Sequence, residues 1–424
     1  MILLRSWIYP IVFLVYFNTG LSQGFTGTAI FGSLQVFSSL LYPDRQFACI
    51  VSRFEAASIF NVKLTELDHL PFGLLDLPST ELHKALDGPT LIHLHGRNPQ
   101  PLFVTVLQHG NEITGWEAVR HLLKSHYEFD QLPRSLSILI GNVDAAKHRL
   151  RRLDDQLDYN RCWPGGIHAD SDIGKMFQQV SDRARSLSPI AAIDIHNNSG
   201  LNPHYAAINR IRPEFLRLAS YFSSKVVYFT MPTGTQSLSF SRFCPSTTLE
   251  CGQAGEIHGT DHSMGFLETL LHLDNIPRTP VDADEVHLFH MVATVQVHED
   301  ALFGFGHVPA DVVFRENLDV LNFQELPEGI SLGAVNGGPV QPVVATDVDG
   351  VDVTKQYFRF DRGQVETVRE IVPSMLTLDR RVIQQDCLCY LMDRIHFEDH
   401  VEETDHDPLP ESIHRSDRPG EPSL

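Results

Sequence analysis

The chain has 424 residues, 42% of them hydrophobic, enough for ordinary globular cores and for two domains. A formal net charge of −20 argues against a non-specific grip on nucleic acid or on an anionic membrane, since both need basic patches. The expected partner is a small molecule, and a homo-oligomer is compatible with the sequence.

Six cysteines (Cys49, Cys162, Cys244, Cys251, Cys387 and Cys389) are too few for a disulfide scaffold and show no repeated Cys-x-x-Cys spacing for a structural zinc. Reduced, buried thiols in a cytoplasmic protein are expected, including the Cys387/Cys389 pair on one strand face. The N-terminal run "MILLRSWIYPIVFLVYFNTGLSQGF" has one basic residue, an apolar stretch of signal-peptide length and small residues at Gly20 and Ser22. It is short for a membrane span and interrupted by Pro10, so no stable membrane insertion is expected. Either the chain is exported or residues 1–60 are an extension outside the folded enzyme; the second is favoured, because the later pattern is complete without them.

From Asn61 onward, short apolar runs alternate with amphipathic stretches, as in a sheet covered by helices. "LFVTVLQ" reads as a strand, "TGWEAVRHLLKSHYEF" as a helix and "LSILIGNV" as the next strand, followed by an arginine-rich loop. "DIGKMFQQVSDRARSL" is again helical, and "IAAIDIHNN" is an apolar strand ending in a histidine. Strand "HYAAIN", helix "PEFLRLASYFS", strands "KVVYFTM" and "STTLECG" and helix "HSMGFLETLLHL" complete an α/β unit over 61–280, a mixed sheet flanked by helices. After Pro277 and Pro280 the texture changes. "EVHLFHMVATVQVHE", "LDVLNFQEL", "SLGAV", "PVVATDV" and "QYFRFD" predict a β-rich C-terminal domain over 281–395. Residues 396–424 are acidic, proline-containing and poor in apolar side chains, which predicts a disordered tail.

His109 and Glu112 lie three apart where a strand turns into a helix, with Gly110 letting the backbone bend. An imidazole and a carboxylate suit Zn²⁺, and a catalytic zinc takes three protein ligands with one open position. His196, at the end of the later strand, supplies the third, giving one Zn²⁺ per chain. Taken alone, the H-x-x-E pair is weak evidence for a metal, because a strand-end His and a helix N-terminal Glu are also ordinary capping residues. Asp194, two residues before His196, shares its strand face and can fix an imidazole tautomer or serve as a plain strand-end hydrogen-bond partner. Glu250, a carboxylate inside an apolar β run, suits a general base whose pKa is raised by burial; Glu256 reads as solvated. Developing negative charge and a substrate carboxylate both call for guanidinium groups. Arg149, Arg151, Arg152 and Arg161, beside Asn160, are candidates, two of them expected at the surface. Arg242 is a further candidate for a substrate carboxylate or an ordinary salt bridge.

The order H-x-x-E (His109, Glu112), "DYNR" (Asp158 to Arg161), "DIHNNSG" with His196 and "TLECGQAG" with Glu250 resembles the succinylglutamate desuccinylase and aspartoacylase family, relatives of the zinc carboxypeptidases. The resemblance covers about Leu64 to Asp393. It implies a zinc carboxypeptidase-like α/β domain with a β-rich, barrel-sandwich-type C-terminal domain. It also implies His109, Glu112 and His196 as zinc ligands, Asn160 and Arg161 on the substrate carboxylate and Glu250 as general base. The family's usual "DLNR" is here "DYNR", and the carbonyl-polarising arginine lies one residue farther from Asn160 if it is Arg152, with Arg151 or Arg149 able to replace it. The function so implied is a zinc-dependent hydrolase of the amide, or ester, bond of a small carboxylate-bearing acyl compound such as an N-acyl amino acid. Rival readings are a carboxypeptidase acting on short peptides, a catalytically silent metal-binding module, and an amidohydrolase barrel built on His93 and His95. The last lacks the eightfold strand and helix alternation that such a barrel needs.

Overall fold

The computed structural model describes residues 63–396; the expectations for residues 1–60 and for the tail beyond residue 396 lie outside them. Twelve strands form one mixed sheet. Its middle is parallel: Arg134–Ile140, Asn98–Val106, Ala191–Asn198 and Ser246–Gln253 lie side by side and run the same way. Parallel strands with both faces covered read as near-continuous apolar runs. That is why residues 102–106 and 191–198 are buried throughout.

The two faces separate by strand alternation. Val104, Val106, Ile193 and Ile195 pack with Trp116, Val119 and Leu122 of helix Thr114–His126 and with Phe266 and Leu270 of helix Ile257–His272. Phe103 and Ala192 face the other way, toward Met176, Phe177 and Val180 of helix Asp172–Leu187 and toward Trp163. That helix starts at Ser171, whose hydroxyl accepts the Gly174 N–H at 3.0 Å, satisfying one of the free donors of its first turn. The helix expected to reach Phe129 stops at His126, with Tyr127 as its C-cap. The Tyr127 hydroxyl donates to Glu268 of the neighbouring helix at 2.9 Å.

The β-rich part is shared between two sheets. Strands His287–Val297, Cys389–Ile395, Val372–Ser374 and Val343–Asp347 extend the large sheet. Phe303–Phe305, Val312–Phe314, Ser331–Val335, Gln364–Thr367 and Phe358–Arg359 form a separate five-stranded sheet. "LDVLNFQEL" was expected to be β-type and instead begins with a 3₁₀ turn, Leu318–Leu321. Its local polar bonds explain this, since the Asn322 amide donates to the Asp319 carbonyl at 2.9 Å and so competes with strand pairing. No helix among the described residues is long and apolar enough to cross a membrane.

Candidate metal centre and its cavity

The carboxyl ends of the parallel strands are where ligand sites of open α/β sheets form, and the chemistry-bearing residues gather there. After strand Asn98–Val106 the chain turns at Leu107, whose φ is 57°, and reaches His109 and Gly110. A Cβ at Gly110 would lie 2.1 Å from the backbone nitrogen of Ala146. Gly110 is therefore required by close approach of two backbones rather than by a bend. This contact seats His109 and Glu112 against helix Val143–His148. His196 lies two residues before the end of strand Ala191–Asn198, and Glu250 is its register partner on strand Ser246–Gln253.

His109, Glu112 and His196 are all buried, and each offers a ligand atom within 4.8 Å of the others. Glu112 lies between the rings: its Oε1 is 2.8 Å from His109 Nδ1 and its Oε2 2.6 Å from His196 Nδ1. Each ring's other nitrogen also faces a carboxylate. His109 Nε2 lies 3.0 Å from Asp158 Oδ1, and His196 Nε2 lies 3.0 Å from Asp194 Oδ2. Carboxylates behind imidazoles fix ring orientation and raise ligand basicity, leaving the two Nδ1 atoms and Glu112 turned toward one point. The donor set, two imidazoles and a carboxylate, fits a divalent ion such as zinc.

The electrostatics follow from burial and these pairings. Burial by itself would lower the pKa of His196, but Asp194 and Glu112 outweigh it and hold it well above the usual imidazole range. His109 is raised too, with burial and Arg151 opposed by Glu112 and Asp158. Glu112 is shifted the other way: burial favours its neutral form, and the two imidazoles overcome that and hold its carboxyl far below the ordinary range. Glu250 has no hydrogen-bonded cation to offset its burial. Burial pushes its carboxyl up to about 8, His196 only partly offsetting this and Glu112 adding to it. Its Oε2 accepts from the Asn198 amide at 2.9 Å.

The arginines sort differently from the sequence expectation. Arg152 does not face the cavity; its guanidinium donates to the Gln156 carbonyl of its own loop at 2.9 Å. Arg151 takes the place beside the centre, with Nη1 3.6 Å from Glu112 Oε1 and Nη2 3.0 Å from Asp158 Oδ2. Arg149 is exposed at the C-cap of helix Val143–His148. Arg242, exposed, lines a different surface depression with Pro164, Gly165 and Lys175, so it is placed away from any substrate at the centre. Asn160 does reach the site, its amide 3.5 Å from His196 Nε2. Arg161 lines the same cavity and donates to the Asn160 carbonyl at 2.8 Å and to Asp386 at 3.1 Å.

Several members of the site carried no role in the sequence reading. Gln108 donates to Asp194 at 2.6 Å and accepts from the Trp163 indole at 2.6 Å, which locks the carboxylate behind His196. Gln108 adjoins His109, and Asp158 stands inside "DYNR", so both were within reach of a motif reading. Asp386, from the C-terminal part, had no such signal, since its partners lie more than 200 residues away in sequence.

The comparisons agree with this architecture. Residues 101–273 match the family model described as the succinylglutamate desuccinylase/aspartoacylase catalytic domain, so the resemblance read from the four motifs holds over that stretch. Among solved structures, succinylglutamate desuccinylase from Vibrio parahaemolyticus is similar with a TM-score of 0.50 and 13% identity, over 72% of this chain and 86% of that one. The enzyme from Chromobacterium violaceum gives a TM-score of 0.46 and 18% identity over 71% and 86% of the two chains. Murine aminoacylase 3 gives 0.44 and 14% over 70% and 95%. The fold is that of the desuccinylase and aspartoacylase proteins. No curated protein matches the sequence.

Proposed function

We propose that the chain is a metal-dependent hydrolase, with one zinc held by His109, Glu112 and His196, that cleaves the amide or ester bond of a small acyl compound such as an N-acyl amino acid. The observation that carries this reading is the convergence of the three ligand residues beside a fourth acid, Glu250, whose pKa of about 8 lies near neutral pH, where a general base is effective. When bound, the ion would supply Lewis-acid polarisation and a positive charge that favours deprotonation of water.

The remaining work falls to the chain's own groups. Glu250 takes a proton from the attacking water and passes it to the leaving nitrogen or oxygen, while Asn198 holds the carboxylate in place. Arg151, beside Glu112, is positioned to stabilise the negative oxygen of the tetrahedral intermediate. Asp158 and Asp194 orient the imidazoles. Asn160 and Arg161 form the wall that meets the rest of the substrate. The same reading takes the free, buried Cys162, Cys244, Cys251, Cys387 and Cys389 as thiols of a cytoplasmic protein.

The test is a screen of the zinc-loaded protein against acidic, neutral and aromatic N-acyl amino acids, with short peptides alongside. Release of the free amino acid, lost in Glu250→Gln, is expected. Equal rates for the variant and the unaltered protein on every acyl compound would overturn the proposal in favour of a silent binding module. Cleavage of peptides alone would favour a carboxypeptidase.

A further inference from the structure

Two cavities meet at the metal centre. Glu112, Arg151, Asn197, Met375 and Asp386 line both, whereas Asn160 and Arg161 line only the first. The second measures about 290 Å³ against about 90 Å³ for the first, so it holds more than an acetyl group. Its wall is rich in uncharged amides: Asn111, Asn197, Asn198 and Gln253, with Ser199 beside them. A compound whose scissile bond lies at the shared wall has one half in each cavity.

Two of these amides are already engaged. The Asn197 side-chain oxygen accepts the Thr114 N–H at 3.1 Å, and its nitrogen donates to Thr114 Oγ1 at 2.8 Å and to the Gly252 carbonyl at 3.0 Å. Gln253 donates to the Ser199 carbonyl at 3.2 Å. Asn198 is committed at one end alone. Its nitrogen donates to Glu250 Oε2 at 2.9 Å, which fixes its orientation, and its Oδ1, in a residue only 3% exposed, has no partner among the described residues. Asn111 Oδ1 is buried and unpartnered in the same way. Two residues of one cavity wall thus present amide oxygens without donors, and a buried acceptor left so carries the full cost of its desolvation.

We propose that the second cavity is the acyl subsite and that Asn111 and Asn198 make it select an acyl group longer than acetyl that carries N–H donors, such as a terminal carboxamide. This deepens the hydrolase reading and rests on it for the placement of the two halves. The amino-acid half, with its carboxylate, meets Asn160 and Arg161 in the first cavity and leaves the second to the acyl half. In the free protein, water can supply donors to the two oxygens. A group that displaces it must reproduce those hydrogen bonds or bind more weakly. The nitrogen of a carboxamide brings two N–H donors. A ketone of the same shape sets a carbonyl against carbonyls, and an isopropyl group offers nothing polar.

The test measures, by calorimetry on the zinc-loaded full chain, binding of three nearly isosteric acyl products: succinamate, levulinate and isocaproate. All carry the same carboxylate, and their far ends are an amide, a methyl ketone and an isopropyl group. Succinamate is expected to bind at least ~10-fold more tightly than either of the others, and Asn111→Leu to cut that preference to below about threefold. Levulinate or isocaproate bound as tightly as succinamate would overturn the proposal without any variant, which keeps it falsifiable if Asn111→Leu does not fold. An undiminished preference in folded Asn111→Leu would overturn it as well. Hydrolysis of N-acetylphenylalanine and N-succinamoylphenylalanine, followed in parallel, separates the two readings. The succinamate preference with neither compound hydrolysed sinks the hydrolase and retains an N–H-selective cavity, whereas hydrolysis without that preference sinks the subsite alone.

Discussion

Two histidine clusters on the same sheet look alike on paper and differ in what they can do. His93, on strand Thr90–Leu94, touches Ser137 Oγ at 2.9 Å through Nδ1 and Glu66 Oε1 at 3.0 Å through Nε2. Glu66 is in turn held by Arg183 at 2.6 Å. Burial, only partly offset by Glu66, lowers the His93 pKa, and His95 is exposed. Both His93 ring nitrogens have partners, and no second ligand residue converges on them, since His93 is absent from the metal-capable group of the described residues. At the strand ends, His109 and His196 keep carboxylates behind one nitrogen each and share Glu112 at the other. The lesson is that ligand capacity comes from imidazoles and a carboxylate of separate segments converging on one point, as His109, Glu112 and His196 do, and two histidines spaced on one strand do not provide it.

The sharpest way to break this comparison is His196→Ala. It should abolish stoichiometric metal binding and with it all hydrolysis, as read by metal analysis and by single-substrate assays. Glu250→Gln should keep the ion yet reduce kcat by about 10²–10⁴-fold. The same variant carries a pH signature. A carboxyl raised to about 8 from an unfolded value near 4.5 favours the folded state below that lower value. This advantage is lost as pH rises through 8. Metal-free Glu250→Gln should therefore melt at a higher temperature than the unaltered protein at pH 9, and the gap should shrink toward pH 5. Arg151→Ala should lower kcat by about 10²–10³-fold, against little change for Arg152→Ala, whose guanidinium faces its own loop. Asp194→Asn should weaken metal affinity by about 10–100-fold, measured by chelator competition. His93→Ala should change neither metal content nor kcat by more than about twofold, since structural surface pairs contribute little.

The parallel core and the meeting of His109, Glu112 and His196 at one point were legible in the sequence because their signals are local: apolar runs of strand length with polar residues at their ends. His109 and His196 follow or close such runs, Glu112 comes three residues after His109, and Glu250 lies inside another run. What escaped has a physical reason in each case. Arg151 and Arg152 are adjacent, and which one turns inward depends on the loop fold, where Gln156 captures Arg152. Arg242 sits in an apolar-flanked segment much like a site residue, but its side chain leaves the fold at the surface. Asp386 enters from the C-terminal part, and no spacing rule links it to Arg151 or Arg161. The β-type runs after residue 281 fall in two sheets, since strand His287–Val297 pairs with Lys225–Tyr228 of the large one.

The most direct test of the central claim is zinc stoichiometry of purified, zinc-reconstituted protein by mass spectrometry, comparing the unaltered chain with His196→Ala and His93→Ala. The account predicts about one ion per chain for the first and third and none retained by the second. Zinc retained by His196→Ala but lost from His93→Ala would contradict it.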